Sequence, residues 1–173
     1  MGLFSRTLVL IAKYLLVFLI VFTLSIVLYE YKITRMNSEK ELCPPPYTAN
    51  KTLVELMNKY RVGVELKLEK EVYRSNESIK YKIINTGERT LLAGAPFKIC
   101  KYEDGKWYVV KPVKEIVFIL VAYPVEPGQS ITLIAPLEPY YKLEPGLYKL
   151  VTKVLVENLN LDIILEAKFQ ITK

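Results

Sequence analysis

Chemistry in this chain has to be assembled without imidazole. There is no histidine and there are only two cysteines among 173 residues. Ser-His-Asp triads, Cys-His dyads and the usual His- or Cys-built zinc sites are therefore excluded by composition. A Ser-Lys dyad needs a serine beside a desolvated lysine. Ser75, Ser78 and Ser130 instead fall in turn or strand-entry contexts, where a hydroxyl serves the backbone. Glu103 and Asp104 are adjacent in a turn, solvated rather than set across a cleft as glycoside hydrolysis requires. The expectation is a non-enzyme with no cofactor and no metal. Lys+Arg 24 against Asp+Glu 18 gives +6. The two signs alternate along the chain, so no nucleic-acid partner is indicated.

What remains is binding chemistry. Thirteen tyrosines are an excess that suits contact surfaces, since tyrosine gives large amphipathic area at low entropy cost. Tyr140 and Tyr141 stand together between Pro139 and Pro145, either as a recognition tip or as rings covering the open end of a core. Two N-x-[ST] sequons, Asn50-Lys51-Thr52 and Asn76-Glu77-Ser78, are candidate glycosylation acceptors.

These residues need elements to position them. After a short N-terminal segment, residues 1–7, residues 8–29 read LVLIAKYLLVFLIVFTLSIVLY, with Lys13 the one charge. A helix of that length reaches about 33 Å at 1.5 Å per residue, against a bilayer core about 30 Å thick. The expectation is a retained transmembrane signal-anchor contacting membrane lipid. A cleaved secretory signal is the rival reading, but the apolar run is long for one and no small-residue cleavage motif follows it. Positive charges near the two ends almost balance. The sequons and the cysteine pair therefore decide for an extracytoplasmic domain at the cell membrane. The abundance of Glu, Lys and Ile leans toward a thermophile's composition.

Residues 30–51 form a polar linker stiffened by Pro44-Pro45-Pro46. The domain proper is expected over 52–173. It starts with a short helix, residues 52–60, capped by Thr52 and docked through Leu53, Leu56, Met57 and Tyr60. From Val62 the apolar period changes from about 3.6 to 2. Strands are expected over residues 62–68, 79–83, 97–102, 107–110, 116–122, 130–134, 147–156 and 163–172, separated by turns rich in Pro, Gly and Asn. The pattern predicts a mainly β, antiparallel sandwich.

Two phrases carry a resemblance: Val72-Tyr73-Arg74-Ser75-Asn76-Glu77-Ser78-Ile79-Lys80-Tyr81 with Asn85 following, and Leu143-Glu144-Pro145-Gly146-Leu147-Tyr148-Lys149-Leu150. Between them lie Glu103-Asp104-Gly105-Lys106-Trp107 and Val125-Glu126-Pro127-Gly128-Gln129-Ser130. The whole, over residues 62–156, resembles bacterial and archaeal Ig-like domains. The intracellular proteinase inhibitors of bacilli share the pattern more faintly. The resemblance implies an Ig-like β-sandwich. Independently of it, a tyrosine just after a Pro-Gly corner can turn its hydroxyl back onto the preceding loop, so Tyr148 is expected to be structural. Trp107, opening a strand after a tight turn, is expected to pack rather than to stack on a sugar.

Along the strand over residues 97–102, Cys100 lies opposite in parity to Phe97 and Ile99, so it points away from the core, where a returning segment can reach it. Cys43, just before the prolines, is such a segment. A Cys43–Cys100 disulfide is expected, stabilising by roughly 4 kcal/mol in the chain-entropy account, with two unrelated thiols as the alternative. The functional expectation is a binding, assembly or cell-surface structural role, with another protein or a cell-surface component as partner. An inhibitor or regulatory subunit of a membrane or secreted enzyme, using a protruding loop at residues 93–97 or 137–143, is the competing reading.

Overall fold

The structure, a computed structural model, describes residues 18–29, 40–119 and 121–173. Residues 18–29 are α-helical (α1), and every side chain on them is exposed. Twelve residues rise about 18 Å, and among the described residues no helix is long and apolar enough to cross a membrane. The first part of the expected anchor, residues 8–17, lies outside the described residues.

Residues 41–173 form a second compact unit. A 3₁₀ turn, Tyr47–Ala49, leads into α2, Lys51–Lys59. The cap of α2 is Asn50 rather than Thr52: its side-chain oxygen accepts from Leu53 N–H at 3.1 Å. Asn50 is extended, at φ −107 and ψ 101, which an N-cap requires, whereas Thr52 is already helical. Met57 enters the core, and Leu53 and Tyr60 pack against it.

Nine strands follow among the described residues: β1 Val64–Leu68, β2 Val72–Arg74, β3 Ile79–Asn85, β4 Leu91–Glu103, β5 Lys106–Val109, β6 Ala122–Val125, β7 Ser130–Ala135, β8 Gly146–Val156 and β9 Leu161–Thr172. They make a three-stranded sheet, β1-β3-β7, and a six-stranded sheet ordered β2-β9-β8-β4-β5, with β6 also on β4. Alternate residues of both sheets, such as Ile79, Tyr81 and Ile83 opposite Ile99, Leu150, Leu165 and Phe169, meet in one buried cluster. Period-2 burial is what a sheet with one face on a core produces. The β4–β5 hairpin turns at Asp104 and Gly105, both at positive φ (50 and 79), which a two-residue turn matching the twist of its strands demands.

Three features depart from the sequence pattern. β2 pairs in parallel with β9, through Tyr73 and Ile171, so the sandwich is not wholly antiparallel. β4 is thirteen residues long, and its register against β8 shifts between Ala93 and Phe97. Gly94 and Pro96 sit in this irregularity, where a missing side chain and a missing N–H are tolerated. The first part of β4 pairs with β6 and the last with β5. Residues 116–119 and 121, expected in a strand, are not in one. The chain leaves the sheet after β5 and returns only at Ala122, and Pro124, expected in a turn, sits in β6 opposite Leu92.

A buried carboxamide joins these pieces. Asn85 Nδ2 donates to the carbonyls of Arg89 (2.7 Å) and Val125 (2.7 Å), while its Oδ1 accepts from Gly87 N–H (3.0 Å). Its backbone N–H donates to Gln129 O at 2.9 Å and its carbonyl accepts from Gly128 N–H at 3.0 Å. Beside it, Gly63 and Gly87 cross closely: a Cβ on Gly63 would lie 2.9 Å from Gly87 N. Replacing Asn85 by Ala would leave three backbone groups without this partner, that of Val125 buried and those of Gly87 and Arg89 partly so. The expected loss is about 3 kcal/mol of unfolding free energy, measured by urea titration.

Candidate functional site

The segment after Lys40 is stitched to the edge of the six-stranded sheet. Val109 N–H donates to Glu41 O (2.8 Å) and Cys43 N–H donates to Trp107 O (2.9 Å), while Leu42 bridges Tyr108. Lys98 pairs with Glu41 at 2.8 Å. Cys43 and Cys100 are disulfide-bonded, with Cα atoms 6.1 Å apart. Cys100 is fully buried, yet it stands outside the core cluster that takes in Ile99, as its parity in β4 demands.

The same outer face holds a second buried group. Lys149 is only 3% exposed and pairs with Glu166. Its ammonium lies 5.0 Å from the centre of the Trp107 ring, and that of Lys168 lies 6.0 Å from the same ring. Trp107 also packs on Tyr102, centroids 5.0 Å apart. A ring engaged by a buried cation in this way is a packing element. Tyr148 donates to Glu144 O at 2.7 Å and stacks on Phe169. Burial pushes its phenol up. Lys101, hydrogen-bonded to Glu103 at 2.9 Å and near the Glu144 carboxylate, is held above the usual lysine range.

The Pro136–Gly146 loop turns its two tyrosine rings toward the core while Glu138, Pro139, Lys142 and Glu144 stay exposed. Tyr141 is buried against Phe97, and desolvation pushes its phenol up to about 12. Tyr140 is half-buried on the core, and Leu137 and Leu143 are buried. Residues 93–97 are no freer, being part of β4 with Ala93 and Phe97 in the core. In both loops the apolar side chains close the end of the sandwich, while Pro96, Glu138, Pro139 and Lys142 stay exposed.

The exposed apolar surface lies elsewhere. Between β5 and β6, Ile116 and Phe118 pack inward, Phe118 edge-on to Phe97 at 5.4 Å. The intervening residues point out: Val117 is 84% and Ile119 75% exposed, with Val113, Val121 and Tyr123 also exposed. Lys111 and Lys114 flank this stretch. The signal was present in the sequence, where apolar residues occupy both parities of 116–121, more than one buried face can use. At the near end a cleft of about 570 Å³ is lined by Asn76, Val113, Lys114, Pro139 and Lys142 among others. Asn76 is exposed and Asn50 is a helix cap, so the two sequons sit in different surroundings. Among the described residues no cluster of His, Cys, Asp and Glu could hold a metal.

The family model for the bacterial Ig-like domain matches residues 60–170. The chain belongs to that family. The matched span runs from the end of α2 through β9, and so takes in both sheets of this Ig-like domain. No curated protein matches. Among solved structures the domain is similar to a β-glucosidase from Erythrobacter marinus, at 14% identity over 64% of this chain and 16% of that one, TM-score 0.35. An alkylpurine DNA glycosylase from Pseudomonas fluorescens matches at 17% identity over 71% and 34%, TM-score 0.37. A sporulation control protein from Bacillus subtilis matches at 13% over 65% and 50%, TM-score 0.39. The chain spans half or less of the length of each.

Two outcomes follow from this geometry. Cys43→Ser opens a loop of 57 residues, and is expected to lower the unfolding free energy by about 4 kcal/mol, read from denaturant midpoints. The second concerns alkali. Tyr81, whose buried hydroxyl has no hydrogen-bond partner of good geometry among the described residues, is pushed up to about 12 by desolvation against a smaller lowering by Thr152. Tyr141 is pushed up to about 12 by desolvation alone. In the unfolded chain both phenols ionise near 10, so stability is full below that pH and falls as pH rises toward 12. The loss approaches roughly 2.7 kcal/mol per tyrosine. A Tyr81→Phe/Tyr141→Phe variant should lose distinctly less stability between pH 9 and pH 11 in urea melts.

Proposed function

We propose that this chain is a single-pass, membrane-anchored Ig-like domain on the outer side of the cell membrane, with a non-catalytic role in binding or assembly. Its contact surface is formed by the exposed side chains of Val117, Ile119, Val121 and Tyr123, and its partner is another protein. The exposure of Val117 and Ile119 carries this reading: two large aliphatic side chains standing almost free in water, two residues apart. Contiguous apolar patches of this kind mark interaction surfaces on soluble domains. Anchoring is supported by the apolar run of residues 8–29 and by α1, whose large apolar side chains are exposed all round, as a lipid environment favours. The disulfide supports an oxidising exterior, where such bonds form and persist.

Val117→Glu/Ile119→Glu tests the surface in the full chain. Photo-cross-linking in native membranes should give a discrete adduct from a probe placed at Val121 in the parent, and the double variant should lose it. Its melting temperature and its disulfide should not change, because neither side chain contributes to the core. An undiminished adduct in the double variant would remove this face from the proposal.

A further inference from the structure

The two sequons are chemically alike in sequence and differ in the fold. Asn50 holds the start of α2, its Oδ1 accepting from Leu53 N–H at 3.1 Å, and Thr52, which completes the sequon, is already in the helix. To present both side chains to an enzyme, the first turn of α2 would have to unwind. Asn76 sits in the turn between β2 and β3, closed by Glu77 N–H donating to Arg74 O at 3.1 Å. The neighbouring Glu77 is the residue that is engaged. Its carboxylate accepts from Arg74 N–H at 3.3 Å and pairs with Lys70 at 3.4 Å, and the Arg74 N–H first, then Lys70, holds it below the usual carboxylate range. Asn76 itself is exposed, its carboxamide makes no hydrogen bond among the described residues, and Ser78 is exposed as well. The turn is therefore fixed by its neighbours while the acceptor amide stays free.

We propose that Asn76 is a site of N-glycosylation and that Asn50 is not, an inference that rests on the exterior placement of the domain. The donor is a lipid-linked oligosaccharide phosphate. The bond from sugar C1 to the phosphate oxygen breaks and a bond from C1 to Asn76 Nδ2 forms. The amide gives up one proton, and the lipid phosphate leaves with the electron pair and takes up a proton. The sugar stands at the lip of the end cleft, where exposed Pro139 offers it an apolar wall and Lys114 and Lys142 offer donors.

The test uses the full chain recovered from its native membranes. Peptide mass spectrometry should find a sugar increment on the peptide bearing Asn76 and none on that bearing Asn50. Asn76→Gln should abolish the gel-mobility shift and leave the melting temperature unchanged. Asn50→Gln should keep the shift and lower the melting temperature. A bare Asn76, or a glycan on Asn50, overturns the assignment. Labelling the same intact membranes with an impermeant amine reagent separates the two levels. A labelled domain with a bare Asn76 sinks the glycosylation alone, whereas an unlabelled domain sinks the exterior placement and the glycosylation with it.

Discussion

The carboxamide of Asn85 is the point at which the two sheets, the β3–β4 connection and the turn before β7 are held in one arrangement. Each of its three side-chain hydrogen bonds ends on backbone, at Gly87, Arg89 and Val125, so it fixes chain path rather than side-chain packing. A buried polar group satisfied in full can specify a unique arrangement where apolar contacts allow several. The crossing of Gly63 over Gly87 depends on this junction, since only backbone of a defined path can approach so closely without Cβ atoms. From there β4 enters the second sheet at Leu91, and its register with β8 follows.

A second constraint acts on the outer face of the six-stranded sheet. A face carrying Cys100, Lys149 and Val151 would ordinarily meet water, yet all three are buried. The segment around Cys43, hydrogen-bonded along β5 and joined to Cys100, contributes cover there. Lys149 is tolerated there because Glu166 neutralises it and the Trp107 ring supplies an attractive face. The edge of β5 is closed by the same segment, which removes one row of unpaired backbone groups from solvent.

Much of this was legible in the sequence. The alternation of Ile163, Leu165, Phe169 and Ile171 marked β9, and Asp104-Gly105 marked the hairpin, because burial and turn geometry there depend on near neighbours. Less was legible where distant residues decide. The three residues of β2 are a strand only because β9 lies alongside. Residues 91–96 look irregular in sequence and become strand through β6 and β8. Residues 116–121 look like a strand in sequence, yet 116–119 and 121 are not in one, and Val117 and Ile119 of the expected buried element are exposed instead. Tyr140 and Tyr141 read as a tip or as a seal, and whether the end of the sandwich needed sealing was knowable only once Phe97 was placed.

The disulfide also sets how the domain carries mechanical load. If tension enters from the N-terminal side, the covalent path runs from Cys43 through the sulfur atoms directly to Cys100, near the end of β4. Residues 44–99, which include α2 and β1 to β3, then lie off the line of force. The pull toward the contact surface is carried by the end of β4 and by β5, whose ladder runs from Cys100 and Val109 to Glu103 and Lys106. A tether attached this way can be dragged by whatever the surface holds while the Asn85 junction and the turn carrying Asn76 remain slack.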